Sequence, residues 1–249
     1  MKQIAIFLVM MTLMLFPHLV SAKICVVCVG DSITEGWGLT NASVQAYPAR
    51  LQERLGATYK VLNCGVSGSC MVKKDRASYW NTQKFLIATQ ADPQIVIIKL
   101  GTNDGDPPRW NAHKGEFYDD YVAMIREFRK NGRNPLIFVC FPVPCFGPVK
   151  AAQDRTIKNE VIPLIKKVAD SQGLSIIDFN TTMQPYGNLF PDNIHPNAEG
   201  ANKMAGIAFN AVATNERNFI NCTNKAPGTF GGNPDRAASG LPLPRNKPE

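Results

Sequence analysis

Histidine is scarce in this sequence of 249 residues: only His18, His113 and His195 occur. A mature chain that needs an imidazole base therefore has few positions to draw on. Dense blocks of lysine and arginine are missing as well. Lys166-Lys167 and Lys73-Lys74-Asp75-Arg76 are short and read as solvated faces, which argues against a nucleic-acid partner. No internal repeat is found, which excludes a solenoid or propeller. Cys25-x-x-Cys28 has no second ligand cluster to complete a metal site, so no metal or other cofactor is expected. Beyond residue 16 no apolar run approaches the length of a membrane span, and stable membrane insertion of the mature chain is not expected.

The one long apolar run lies at the start. Lys2 precedes Ile4 to Phe16, followed by Pro17-His18 and the small-residue site Val20-Ser21-Ala22. These are the n-region, h-region and cleavage site of a secretory signal peptide, against the alternative of an uncleaved anchor. Residues 1–22 are expected to leave, with Lys23 near the mature start and the protein secreted or periplasmic. His18 goes with them. Loss of Lys2 takes the net charge from +7 to +6, a moderately basic balance that favours acidic polymers or anionic surfaces. The seven cysteines (Cys25, Cys28, Cys64, Cys70, Cys140, Cys145 and Cys222) are an odd number, so at least one is unpaired within the chain. Cys25, Cys28 and Cys140 lie in buried-type strands, whereas Cys64 and Cys70 flank a glycine-rich turn and could pair under oxidising conditions.

What is present is a regular alternation. Apolar, β-rich runs at Ile24–Val29, Tyr59–Asn63, Ile95–Leu100, Leu136–Phe141 and Leu174–Ile177 read as strands. Helical patterns fall at about 47–55, 82–90, 116–130, 152–170 and 198–214. A long loop carrying Pro107-Pro108, Trp110 and His113 is expected before the third of these. Strands alternating with helices imply an α/β fold, a three-layer α/β/α arrangement around a parallel sheet with right-handed crossovers. One domain over residues 23–214 is expected. The periodicity fades near Asn215, and residues 215–249 read as a flexible C-terminal extension. Asn41, Asn180 and Asn221 each open a glycosylation sequon.

The polar motifs cluster at the strand ends. Gly30-Asp31-Ser32-Ile33-Thr34-Glu35-Gly36 follows the first strand, and in open α/β sheets the carboxyl edge is where ligands bind. Gly68 follows the second strand, Asn103 the third, and Asp192 and His195 lie beyond the fifth. Each motif has an ordinary reading: Ser32 as an N-cap, Gly68 as a turn glycine, Asn103-Asp104 as an Asx turn, His195-Pro196 as a loop before a helix. Taken together they supply a hydroxyl, a base, a carboxylate three residues from that base, and two kinds of N–H donor. A serine hydroxyl needs a base to remove its proton, and the oxyanion that follows needs preorganised donors.

Gly30-Asp31-Ser32-Ile33-Thr34, Asn63 to Gly68, Gly101-Thr102-Asn103-Asp104 and Asp192-Asn193-Ile194-His195 resemble the four consensus blocks of the SGNH (GDSL-type) serine hydrolases. The resemblance spans residues 24 to about 212. It implies a flavodoxin-like sheet of order 2-1-3-4-5 and metal-free ester hydrolysis through an acyl-serine. It further implies Ser32 as nucleophile, His195 as base, Asp192 as the group orienting His195, and an oxyanion hole from Ser32, Gly68 and Asn103. Ile33 stands where the family's older name has leucine. The absence of Gly-x-Ser-x-Gly argues against an α/β-hydrolase. Tyr47 to Leu51, Tyr79-Trp80, Lys99 to Asp104 and Phe190 to Gly200 are similar to secreted bacterial esterases grouped with sialate and other carbohydrate O-acetylesterases. This implies a small-molecule or polysaccharide acetyl ester as substrate. Trp37, Trp80 and Trp110 are candidates to stack on a sugar ring, the alternatives being that Trp80 is core and that Trp110 closes its loop. A lysophospholipase or platelet-activating-factor-acetylhydrolase-like lipid esterase and a non-catalytic carbohydrate-binding protein remain rival readings. Oligomeric state stays open.

Overall fold

The computed structural model describes residues 22–223, with side chains through residue 215. Five strands, β1 (Ile24–Gly30), β2 (Tyr59–Gly65), β3 (Ile95–Lys99), β4 (Leu136–Phe141) and β5 (Ser175–Asp178), form one sheet in the order β2-β1-β3-β4-β5. Every neighbouring pair is parallel. Gly30 lies opposite both Gly65 and Lys99, so the exits of β2, β1 and β3 are level. That register places the motifs after these strands side by side.

Alternating side chains feed two cores, as the pleat requires. Val27, Val29, Val96 and Ile98 pack with Phe117 and Tyr121 of one helix and Ile165 and Val168 of another. Val26, Cys28, Ile95 and Ile97 pack on the opposite face with Tyr47, Leu51, Met204 and Ala208. The helices are α1 (Ser32–Glu35), α2 (Ala42–Gln45), α3 (Tyr47–Leu55), α4 (Gln83–Gln90), α5 (Pro107–Phe128), α6 (Gly147–Thr156), α7 (Ile162–Gln172), α8 (Phe179–Met183) and α9 (Ala198–Thr223). Among the described residues, those up to Val212 make one compact unit, and a second unit begins at Ala213.

Several expectations are corrected. The segment from Pro107 is helix, not loop, because prolines in a first turn occupy positions whose N–H groups have no helical acceptor. Trp110 and His113 therefore lie on α5, and His113 has Glu116 as a neighbour at 4.0 Å. The single helix expected at 152–170 is divided by a wider π turn over Ile157–Val161. Pro163 has no N–H for the carbonyl of Asn159, and the widening falls just before it. The last helix runs to Thr223, past the fading of its apolar pattern. Cys64 and Cys70 are both free thiols, as are Cys25, Cys28, Cys140 and Cys145. Asn180 is buried and its amide donates to the carbonyl of Pro142 at 2.8 Å, so this sequon offers no accessible acceptor. The leader expected before Ala22 and the extension beyond Thr223, like the side chain of Cys222, lie outside the described residues.

Candidate active site

The site is built where β1 stops. A Cβ at Gly30 would come within 2.0 Å of Thr34 Oγ1, so only glycine lets α1 fold back onto the strand end. Asp31 is extended and caps α1, its Oδ1 accepting the N–H of Ile33 at 3.0 Å. Ser32 is the first residue of α1 and 7% exposed. Its Oγ lies 2.8 Å from His195 Nε2, across 163 residues of sequence.

His195 is held from the other side. Asp192 Oδ2 is 2.6 Å from His195 Nδ1, while Asp192 Oδ1 accepts the backbone N–H groups of Ile194 at 3.0 Å and His195 at 2.7 Å. Asn193 between them adopts φ 68°, a left-handed turn that asparagine tolerates, and this brings residues 192 and 195 face to face. Asn197 then caps α9 by accepting the N–H of Gly200 at 3.0 Å. Partial burial pushes the Asp192 carboxyl up. The backbone N–H and imidazole of His195 and the N–H of Ile194 outweigh it, leaving the carboxyl below its ordinary value. An ionised Asp192 takes the Nδ1 proton as a hydrogen bond, and Nε2 is then the acceptor for the Ser32 hydroxyl.

Gly68 and Asn103 come from the two strand exits flanking β1 on either side. Gly68 has φ 78° at the third position of a turn closed by Ser69 N–H to Val66 C=O at 3.2 Å. Asn103 Nδ2 donates to Ser69 C=O at 3.0 Å, and an amide has two N–H donors, so one is left for a ligand. Two carboxylates that the sequence reading did not single out hold this loop. Asp104 accepts the N–H groups of Met71 at 2.9 Å and Val72 at 3.2 Å, and burial pushes its carboxyl up to about 6 despite those bonds. Glu35 accepts both the N–H and the hydroxyl of Ser67. A third missed feature sits beneath Ser32: Lys99, fully buried, pairs with Asp31 at 2.9 Å. The sequence signal was a lysine inside the run Ile95–Leu100, where a buried charge requires a partner.

The three tryptophans separate. Trp37 is 53% exposed and its ring lies 4.4 Å from that of His195, beside a cleft of about 170 Å³ lined by Gly38, Pro191 and Asn197. Trp110 is 2% exposed, packed edge-on against Phe117, with its indole N–H on Glu160 at 2.6 Å; burial corrects its assignment to sugar stacking. Trp80 is half-buried: it packs on Phe85, donates to Met71 C=O at 2.9 Å and has the Lys73 ammonium 4.2 Å from its ring. Among the described residues no group of three His, Cys, Asp or Glu side chains is arranged to hold a metal ion, and no helix is long and apolar enough to cross a membrane.

A five-stranded parallel sheet of order 2-1-3-4-5, with serine, histidine and amide groups gathered at its carboxyl edge, is the fold of the SGNH hydrolases. The chain belongs to the GDSL-like lipase/acylhydrolase family, whose pattern matches residues 28–203. It is 38% identical over 205 residues to an acetylxylan esterase of Xylanibacter ruminicola, covering 75% of this chain and 42% of that protein. It is 28% identical over 123 residues to the esterase TesA of Pseudomonas aeruginosa, covering 48% of this chain and 56% of that one. The chain thus spans about half the length of these curated relatives. Among solved structures, a carbohydrate acetylesterase of Sinorhizobium meliloti superposes with a TM-score of 0.61 at 22% identity, covering 77% of this chain and 99% of that chain, which establishes the shared fold.

Proposed function

We propose that this chain is an exported serine esterase that removes acetyl groups from carbohydrate. The reading is carried by one observation, the hydrogen-bonded series Ser32–His195–Asp192 at the carboxyl edge of the sheet. Ser32 Oγ attacks the ester carbonyl carbon as His195 Nε2 takes its proton, and Asp192 stabilises the imidazolium that forms. The carbonyl oxygen becomes an oxyanion facing the N–H groups of Ser32 and Gly68 and the amide of Asn103. Each such donor is worth about 3–4 kcal/mol in the transition state. Collapse expels the sugar alcohol, which takes the proton from His195, and leaves acetyl on Ser32. Water, giving its proton to His195, attacks that ester and releases acetate.

Family membership supports ester hydrolysis. The acetylxylan esterase relative supports an acetylated polysaccharide as substrate. Trp37 supports a sugar on the alcohol side, since an exposed aromatic face beside the base can stack on a pyranose ring. Export rests on the leader pattern of residues 1–22. The test is acetate release by residues 23–249 and by Ser32→Ala on acetylated xylan, acetylated sialic acid and aryl esters of graded chain length. Serine-dependent acetate from a sugar ester is the expected result. A preference for long acyl chains would replace it with lipid-directed hydrolysis, and sugar binding without any ester cleavage would replace it with a binding protein.

A further inference from the structure

The mechanism above leaves one buried ionisable cluster unused. Lys99, the last residue of β3, is wholly buried, and its ammonium has three protons. They meet Asp31 Oδ1 at 3.0 Å, Asp31 Oδ2 at 2.9 Å and Thr102 Oγ1 at 2.8 Å. Asp31 is the residue before Ser32, and Thr102 is the residue before Asn103. Asp31 also caps α1 through the N–H of Ile33 at 3.0 Å. Thr102 is fixed from behind, its carbonyl accepting Gln153 Nε2 at 2.8 Å.

We propose that Lys99 is a positioning residue for ester hydrolysis, tying the nucleophile turn to the oxyanion-donor turn so that Ser32 and Asn103 keep a fixed spacing. The inference rests on the esterase reading. Ser32 and Asn103 follow different strands, and each lies one residue beyond a group that the Lys99 ammonium holds, Asp31 on one side and Thr102 on the other. The strand pairing ends at Gly30 opposite Lys99, one residue before Asp31 and three before Thr102. The cross-link from Asp31 through the Lys99 ammonium to Thr102 supplies a constraint beyond that pairing. Geometry of this kind matters steeply, because a displacement of about 1 Å at a reacting group costs on the order of a hundredfold in rate.

A buried ion pair also has a purely structural role, and the two roles separate in a double variant. Lys99→Met alone leaves the Asp31 carboxylate buried without a counter-ion, and both stability and kcat should fall. Asp31→Asn with Lys99→Met removes both charges while asparagine keeps the cap on Ile33. Its melting temperature should return close to that of the unsubstituted chain. The cross-link is still absent, so kcat on an acetyl ester should stay about ten- to a hundredfold low, with KM little changed. Recovery of kcat together with stability would overturn the proposal and leave Lys99 a structural ion. Unsubstituted protein that shows no Ser32-dependent turnover would overturn the esterase reading and this inference with it, a result seen before any Lys99 variant is assayed.

Discussion

A carboxylate that accepts two backbone N–H groups and an imidazole at once has little freedom left to rotate. Asp192 is such a carboxylate, and its constraint passes to His195. Asp192→Asn should keep the backbone bonds but present an amide N–H to Nδ1, favouring the tautomer in which Nε2 carries the proton. That imidazole has no lone pair for the Ser32 hydroxyl. The expected loss in kcat is about 10³- to 10⁴-fold, with circular dichroism and melting temperature unchanged. Trp37 acts on the other side of the same ring. Trp37→Ala should lower kcat/KM for acetylated xylan by about three- to tenfold more than for ethyl acetate, which has no ring to stack. Equal losses on both substrates would assign Trp37 to support of His195 alone.

Strand exits and the loops they launch decide the rest of the site. A Cβ at Gly65 would lie 2.1 Å from the backbone nitrogen of Glu35, so β2 and α1 meet at backbone contact. Gly65→Ala should separate them and cost about 1–3 kcal/mol in urea unfolding, as overpacked sites do. Asp104 gives the loop a pH dependence. Burial raises its folded-state pKa to about 6, above the unfolded value, so the folded chain holds this proton more tightly. The stability it contributes is therefore present below about pH 4 and lost as pH rises through about 6, up to about 3 kcal/mol. Urea unfolding at pH 4.5 and 7.5 should show this loss in the unsubstituted chain, and Asp104→Asn should remove that part of the pH dependence. Asp104 could be read in the sequence only as half of an Asn-Asp turn. Its partners, Met71 and Val72, are more than thirty residues away, and no local periodicity reports such a contact.

At the scale of the whole molecule, the fold holds itself by two apolar layers and no covalent staple among the described residues. All six described cysteines are free, and burial pushes the thiols of Cys64 and Cys145 up to about 11 and about 12. Thiols of this kind are weak nucleophiles. Dithiothreitol should leave the melting temperature unchanged, and alkylation of the native protein should be slow until it unfolds. A fall in melting temperature on reduction would reveal a disulfide that the arrangement of these six thiols does not require.

The parallel sheet was legible in the sequence because buried β-branched runs alternate with amphipathic helices, a pattern that local residue order carries completely. The Gly30-Asp31-Ser32 turn and the Asp192-to-His195 pair were legible too, since each is a short-range motif with its own turn chemistry. What only the tertiary structure decided is which distant side chains meet. Proline-rich residues 107–110 became the first turn of α5 because a first helical turn does not need their N–H groups. Trp110 went inside and Trp37 outside, although both are tryptophans near strand exits, because burial depends on what packs over a residue and not on the residue itself. The pairing of Lys99 with Asp31 follows from the register of β3 beside β1, which sequence spacing does not encode.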